Sequence, residues 1–194
     1  MRPLCQSQSY KGKTSTSSPS PHEWENAFGD ADVVFCITIT SSLSGTYNSA
    51  VIAKDIYEHN HTGRKVYVLD SLSTGPEIAL FIEKIAELIK AGFAPDDIYK
   101  TLLEYKDKTH LYFSLASLNN FAKNGRISPV IAAGIGLLGV RVVGKASDEG
   151  TLLPLDKCRG EKRALKKLID HLKECGYTDG KIIIAHNNNE AGAL

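Results

Sequence analysis

Two uninterrupted apolar runs dominate the first half of the chain. Val33–Thr40 (VVFCITIT) and Lys65–Leu69 (KVYVL) are rich in β-branched and aromatic residues and show no alternation, as expected of strands buried on both faces. The first ends in a small-residue turn, Ser41–Thr46, with a helix predicted from about Tyr47 to His59; the second stops at Asp70-Ser71. An amphipathic helix follows from about Pro76 to Ala91, closed by Gly92, and Pro95-Asp96-Asp97 starts another that runs to about Lys106. Strand–helix–strand–helix order with short connections implies a parallel sheet. Ahead of it, residues 1–21 carry Ser, Thr, Lys and Pro without a hydrophobic period and read by composition as a loop or disordered tail. Pro21-His22-Glu23-Trp24-Glu25 then opens a short helix.

From His110 the pattern shifts. His110–Leu115 reads as a strand, Ser117–Lys123 as a short helix, Asn124-Gly125 as a break and Ser128–Leu138 as an apolar helix. Val140–Lys145 and Thr151–Leu155, joined by Asp148-Glu149-Gly150, form a predicted hairpin. A basic helix, Glu161–Glu174, leads to a last predicted strand, Lys181–His186, and Asn187–Leu194 looks like the start of another helix. The fold class is therefore α/β in two lobes. Residues 1–109 form the first, with a parallel sheet flanked by helices, and residues 110–194 a mixed lobe with a hairpin.

Composition narrows the function classes without choosing one. The 194 residues are 42% hydrophobic and 23% charged, with a formal net charge of +1. That is an ordinary balance for a globular protein, with no field to gather nucleic acid or an anionic membrane. Cys5, Cys36, Cys158 and Cys175 are widely spaced and make no CxxC. With no signal-like stretch after Met1, they point to reduced thiols in the cytoplasm. The longest apolar runs, such as Val130–Val140, fall short of a membrane span.

Ser41-Ser42-Leu43-Ser44-Gly45-Thr46-Tyr47 lies where a parallel strand hands over to a helix, the usual ligand position in open α/β sheets. Hydroxyls, a glycine and a helix N-terminus suit a carboxylate or phosphate; equally, Ser44 or Thr46 simply caps the helix. A serine hydrolase or a small-anion-binding enzyme built on Ser44-Gly45-Thr46 is the alternative. The nucleophile elbow is absent, because Ser42 stands where a glycine is required. None of His22, His59, His61, His110, His171 or His186 can be assigned as its base from sequence. Gly134-Ile135-Gly136-Leu137-Leu138-Gly139 matches G-x-G-x-x-G but leads into a strand and has Arg159 where an acid should follow, so a dinucleotide site is rejected. His59-Asn60-His61 lacks a third metal ligand, and Lys84 and Lys90 look like solvent-facing residues. The basic run Lys157, Arg159, Lys162, Arg163, Lys166 and Lys167 is either a solvated face or a docking patch for an acidic partner.

Taken together, several segments resemble the DegV family. Thr16-Ser17-Ser18-Pro19-Ser20-Pro21 is similar to its Thr-Ser-x-Pro-Ser loop, Ser41–Tyr47 to Ser-Ser-x-Leu-Ser-Gly-Thr-Tyr, and Asp70-Ser71 to the Asp-Ser after the next strand. Phe113–Ser128 resembles the segment ending Gly-Gly-Arg-Ile-Ser, with Asn124 in place of the first glycine. Lys157-Cys158-Arg159-Gly160 resembles Lys-x-Arg-Gly, and Val140-Arg141-Val142-Val143 replaces Ile-Lys-Pro-Ile. The resemblance implies a non-catalytic carrier that encloses one long-chain fatty acid between two α/β lobes and presents its carboxyl to a separate ATP-binding fatty acid kinase. It implies carboxyl contacts at Thr16 and Ser44, with Arg126 and Arg159 at a ligand or partner surface. No metal, other cofactor or nucleic acid is expected. It also turns residues 13–21 from a tail into a ligand loop, and implies a chain shortened at both ends: an opening Asp-Ser strand and a closing segment with a His and glycines have no counterpart here.

Overall fold

A computed structural model describes residues 15–127 and 140–193. Its contacts divide the chain into two compact units.

One unit comprises Ser17–Leu111 together with the turn Ala146–Thr151. Strands β1 (Val33–Thr38) and β2 (Lys65–Asp70) pair in parallel, in register from Val33 opposite Lys65 to Thr38 opposite Asp70. Side chains alternate between the faces of a strand, and here both faces are covered. Cys36, Val66 and Val68 pack with Phe28 of helix α1 (Pro21–Phe28) and with Ala50, Ala53 and Tyr57 of α2 (Thr46–Asn60). On the opposite face Phe35, Ile37 and Leu69 meet Phe81, Ile85 and Leu88 of α3 (Gly75–Lys90) and Ile98 and Leu102 of α4 (Pro95–Lys106). Two-sided burial is why both strands read as continuous apolar runs. Ser20 starts α1 through a capping box: its hydroxyl accepts from the Glu23 N–H while the Glu23 carboxylate accepts from the Ser20 N–H. The thiol of Cys36, in this core, is pushed up to about 11 by burial.

The other unit holds Thr16, Tyr112–Lys145 and the chain from Leu152 onward. Strands β3 (Tyr112–Leu115), β4 (Val140–Ala146) and β5 (Leu152–Arg159) form a sheet in that order. β3 runs antiparallel to β4, with Tyr112 opposite Lys145 and Leu115 opposite Val142. Val142 packs on one face with Leu118 and Ile127, the former just ahead of α5 (Asn119–Lys123). Its neighbour Val143 packs on the other with Cys158 and Ala164 of α6 (Glu161–Glu174). A short α7 (Glu190–Ala193) closes the described chain. Cys36, Cys158 and Cys175 are free thiols.

The mixed α/β class, the parallel pair and the hairpin agree with the sequence reading. One element differs. Lys181–His186 forms no strand, and Ile182 and Ile184 stand 49% and 65% exposed. An apolar run becomes a strand only when a neighbour takes up its backbone hydrogen bonds, and among the described residues none does so. The expected helix Ser128–Leu138, with Gly134, Gly136 and Gly139, lies outside the described residues, as does Cys5.

Helix α6 is tied to β5 through His171. Its Nε2 lies 2.6 Å from Asp156 Oδ2 and its Nδ1 2.8 Å from Glu174 Oε2. Lys167 Nζ approaches the same Asp156 at 3.7 Å. Only the imidazolium can donate from both nitrogens, and the Asp156 hydrogen bond, opposed by partial burial and aided by Glu174, raises the His171 pKa above its ordinary 6.5. A raised folded-state value means that the stabilisation is complete below the unfolded pKa and is lost as pH rises through the folded one. His171→Gln is therefore expected to lower the melting temperature most in mildly acidic buffer, with the gap to wild type closing as the pH rises past the ordinary histidine value of 6.5 and through the raised folded-state one. A gap that widens with pH contradicts the clamp.

Candidate functional site

The carboxyl ends of β1 and β2 carry two loops that interlock with a third, the turn between β4 and β5, all in the parallel unit. Asp70 terminates β2, and both of its carboxylate oxygens accept from the Ser41 N–H at 3.2 Å; Oδ1 also accepts from the Leu72 N–H at 3.1 Å. Leu72 is held at φ +52, a left-handed conformation that a non-glycine residue keeps only when its surroundings enforce it. The buried Thr40 N–H donates to the Ser73 carbonyl at 2.8 Å, joining the two loops again. Third, the Ser147–Thr151 turn reaches Ser42, whose Oγ donates to the Glu149 carbonyl at 2.5 Å.

The turn between β1 and α2 presents its hydroxyls at the helix start. Gly45 is the N-cap of α2 and no side chain caps the helix. The N-cap itself is a glycine, so the side chain nearest to a capping role is that of Ser44, one residue earlier. Ser44 Oγ lies 2.7 Å from Thr46 Oγ1 and accepts from the Thr46 N–H at 3.3 Å. When the Thr46 hydroxyl donates inward, the half-buried Ser44 hydroxyl keeps its own proton for an outside acceptor. The helix start adds further N–H donors and the positive end of the dipole. The arrangement suits an anion. Among the described residues Ser44 hydrogen-bonds to Thr46, whereas a nucleophilic serine is activated by a neighbouring base.

The Thr16–Pro21 loop meets this turn through residues that the sequence did not single out. Ser18 Oγ lies 3.6 Å from where a Cβ on Gly45 would be, and Ser49 of α2 donates to the Pro19 carbonyl at 2.6 Å. Thr16 itself belongs to the other unit, where it lines an open cavity of about 180 Å³ with Asn120, Phe121, Asn124 and Arg126. That volume suits a small polar group rather than an acyl chain. Arg126 is placed by the end of α5: Gly125, at φ +69, takes the left-handed position after the helix. The Gly125 and Arg126 N–H groups return to the carbonyls of Ala122 and Phe121 at 3.0 and 2.9 Å, a Schellman closure. Asn124, the departure from Gly-Gly-Arg, sits one position earlier at φ −95, where a side chain is tolerated, and donates to the Asn120 carbonyl at 2.8 Å. Arg159 is exposed at the end of β5. Thus Thr16 and Arg126 line one cavity, Ser44 belongs to the parallel unit and Arg159 to the end of β5; Ser18, Ser42 and Asp70 lie in segments the sequence marked, whereas Thr40 and Glu149 were missed as neighbours of the Ser44 turn. Asp70 had a visible signal of its own, as the acid closing a strand beside the Ser41 turn.

Mixed α/β layering, with donor-rich turns at the carboxyl ends of parallel strands, defines the class of the protein as α/β. The profile of the family described as "Uncharacterised protein, DegV family" matches residues 6–194. The chain belongs to the DegV family. A DegV domain-containing protein of Streptococcus pneumoniae is 43% identical over 175 residues, covering 90% of this chain and 62% of the relative. A Eubacterium eligens DegV family protein loaded with heptadecanoic acid superposes with a TM-score of 0.87 at 43% identity, covering 92% of this chain and 64% of that one. The Streptococcus pneumoniae Fatty Acid Kinase (Fak) B3 protein loaded with linoleic acid gives 0.84 at 41%, covering 88% and 60%. This chain therefore spans a little under two thirds of its relatives' length. No helix among the described residues is long and apolar enough to cross a membrane.

The hydroxyl pairing predicts that Ser44 is not a nucleophile. A fluorophosphonate probe should leave Ser44 unlabelled and activated esters should not be cleaved above background; stoichiometric labelling at Ser44 restores the hydrolase.

Proposed function

We propose that this chain is the larger part of a non-catalytic, cytoplasmic fatty-acid carrier. It takes the carboxyl of a long-chain fatty acid at the Ser44 hydroxyl, with Thr16 the second donor that the family resemblance assigns, and presents it to a separate ATP-binding fatty acid kinase. The observation that carries it is the Ser44–Thr46 hydroxyl pair at the start of α2, in a chain 41–43% identical to proteins solved with heptadecanoic and linoleic acids. Hydroxyl donors orient a carboxylate without clamping it, which suits a carrier whose cargo reacts elsewhere.

Titration with a pyrene-labelled fatty acid tests the headgroup contacts. Removing a hydroxyl costs about 1–3 kcal/mol where the partner it leaves behind is buried and unpaired, so with ligand bound Ser44→Ala should loosen binding without abolishing it, and Ser44→Ala with Thr16→Ala should loosen it further. Equal affinity without both hydroxyls removes the assignment. A titration of the chain extended to its relatives' length separates a wrong site from an incomplete one.

The kinase contact is assigned to the basic face of α6 together with Arg126 and Arg159. Lys167 already approaches Asp156 at 3.7 Å, so the exposed Arg163 is the cleaner probe. Arg163→Glu should slow acyl-phosphate formation with a competent kinase subunit while leaving lipid content unchanged; an unaltered rate returns the face to ordinary solvated surface.

A further inference from the structure

The turn after β4 lies more than a hundred residues from Ser44 in sequence, yet in the structure it grips the Ser41–Thr46 loop. It is braced internally. Ser147 donates its N–H to the Thr151 carbonyl at 2.9 Å, and its Oγ accepts from the Glu149 and Thr151 N–H groups at 3.2 and 3.1 Å. Gly150, at φ +73, is buried against Thr40 and Leu72. A Cβ there would overlap Thr40 Oγ1 and lie 2.9 Å from the Leu72 Cα. Position 150 thus excludes a side chain twice over, by conformation and by space. The braced turn also fixes the Glu149 carbonyl where it accepts the Ser42 hydroxyl, while the Ser42 N–H donates to Thr40 Oγ1 at 3.3 Å.

The consequence concerns which serine faces a ligand. Ser42 and Ser44 both carry a hydroxyl on this loop, but Ser42's proton is committed to Glu149. Ser44's proton is not needed locally once the Thr46 hydroxyl and N–H point at its oxygen. We infer that the Ser147–Thr151 turn is a positioning element: through Gly150 packed on Thr40, and through Glu149 holding Ser42, it sets the rotation of the loop so that Ser44 is the donor offered to a carboxylate. The assignment rests on the fatty-acid reading and extends it to Gly150, Ser42 and Thr40 as positioning residues.

The test is a double-mutant cycle on the full chain, read with a pyrene-labelled long-chain fatty acid. Gly150→Ala and, separately, Ser42→Ala should each weaken binding roughly tenfold, and by no more than Ser44→Ala does. In the Ser44→Ala background neither should weaken it further, because the donor they position is gone. A purely structural defect would cost the same in both backgrounds, and that result overturns the inference. Ser42 is exposed, so Ser42→Ala keeps the test available if Gly150→Ala does not fold. Amide resonances give a readout independent of lipid: Ser42→Ala should shift the Ser44 and Thr46 signals while Val66 and Leu102 in the cores stay put. A wild-type chain that takes up no probe refutes the fatty-acid reading, and the resonances then decide the positioning alone. Unmoved Ser44 and Thr46 signals refute it too.

Discussion

Parallel pairing that ends in register, Thr38 opposite Asp70, obliges the chain to leave both strands at the same edge of the sheet. Two loops must therefore share one small space, and each carries backbone N–H groups that the sheet no longer satisfies. Asp70 resolves this by accepting from Ser41 in one loop and Leu72 in the other. Hydrogen bonds to an ionised carboxylate are about twice as strong as neutral ones, so one residue at a strand end fixes two loops at once. The rest of the site inherits its position from that contact. Two strands alone would not hold such a register; burial of both faces under α1 and α2 on one side, α3 and α4 on the other, does.

Elements whose ends are decided locally were readable from sequence. Helix α4 runs Pro95–Lys106 and α6 runs Glu161–Glu174, as expected, because a first-turn proline or an N-terminal glycine followed by a periodic apolar face needs no distant information. The strand ends moved by a residue or more, with β5 reaching Arg159 instead of Leu155, because a strand lasts as long as its neighbour does. Lys181–His186 is the extreme case: three consecutive isoleucines with no described strand beside them. The Ser44 turn was visible as small residues at a strand-to-helix junction. Its partners were not, since Asp148-Glu149-Gly150 announces a turn and says nothing about the loop a hundred residues away on which it lands.

The departures from the family pattern divide along the same line. Asn124 replaces a glycine at a position whose backbone is unexceptional, whereas Gly125 keeps the one left-handed angle that Arg126 depends on. A substitution is tolerated where no positive φ is required. The same criterion separates Gly45, whose added Cβ would make only ordinary contact with Ser18, from Gly150, whose Cβ has nowhere to go.

Those constraints bear on why a carrier would use hydroxyls at its headgroup. Each buried methylene contributes about 0.8 kcal/mol, so a long acyl chain supplies on the order of 10 kcal/mol before ordering costs are met. Affinity is then set along the tail, and the polar end has only to fix direction. An arginine forked onto the carboxylate would engage both oxygens and neutralise the charge that a phosphoryl acceptor needs. On the proposed reading a single serine proton, paired with a threonine hydroxyl beside it and backed by a clamped loop, would engage one oxygen and leave the other exposed to reaction. Direction from so weak a donor demands a rigid mount, and the interlocking of Thr40, Leu72 and Gly150 under the turn supplies that rigidity.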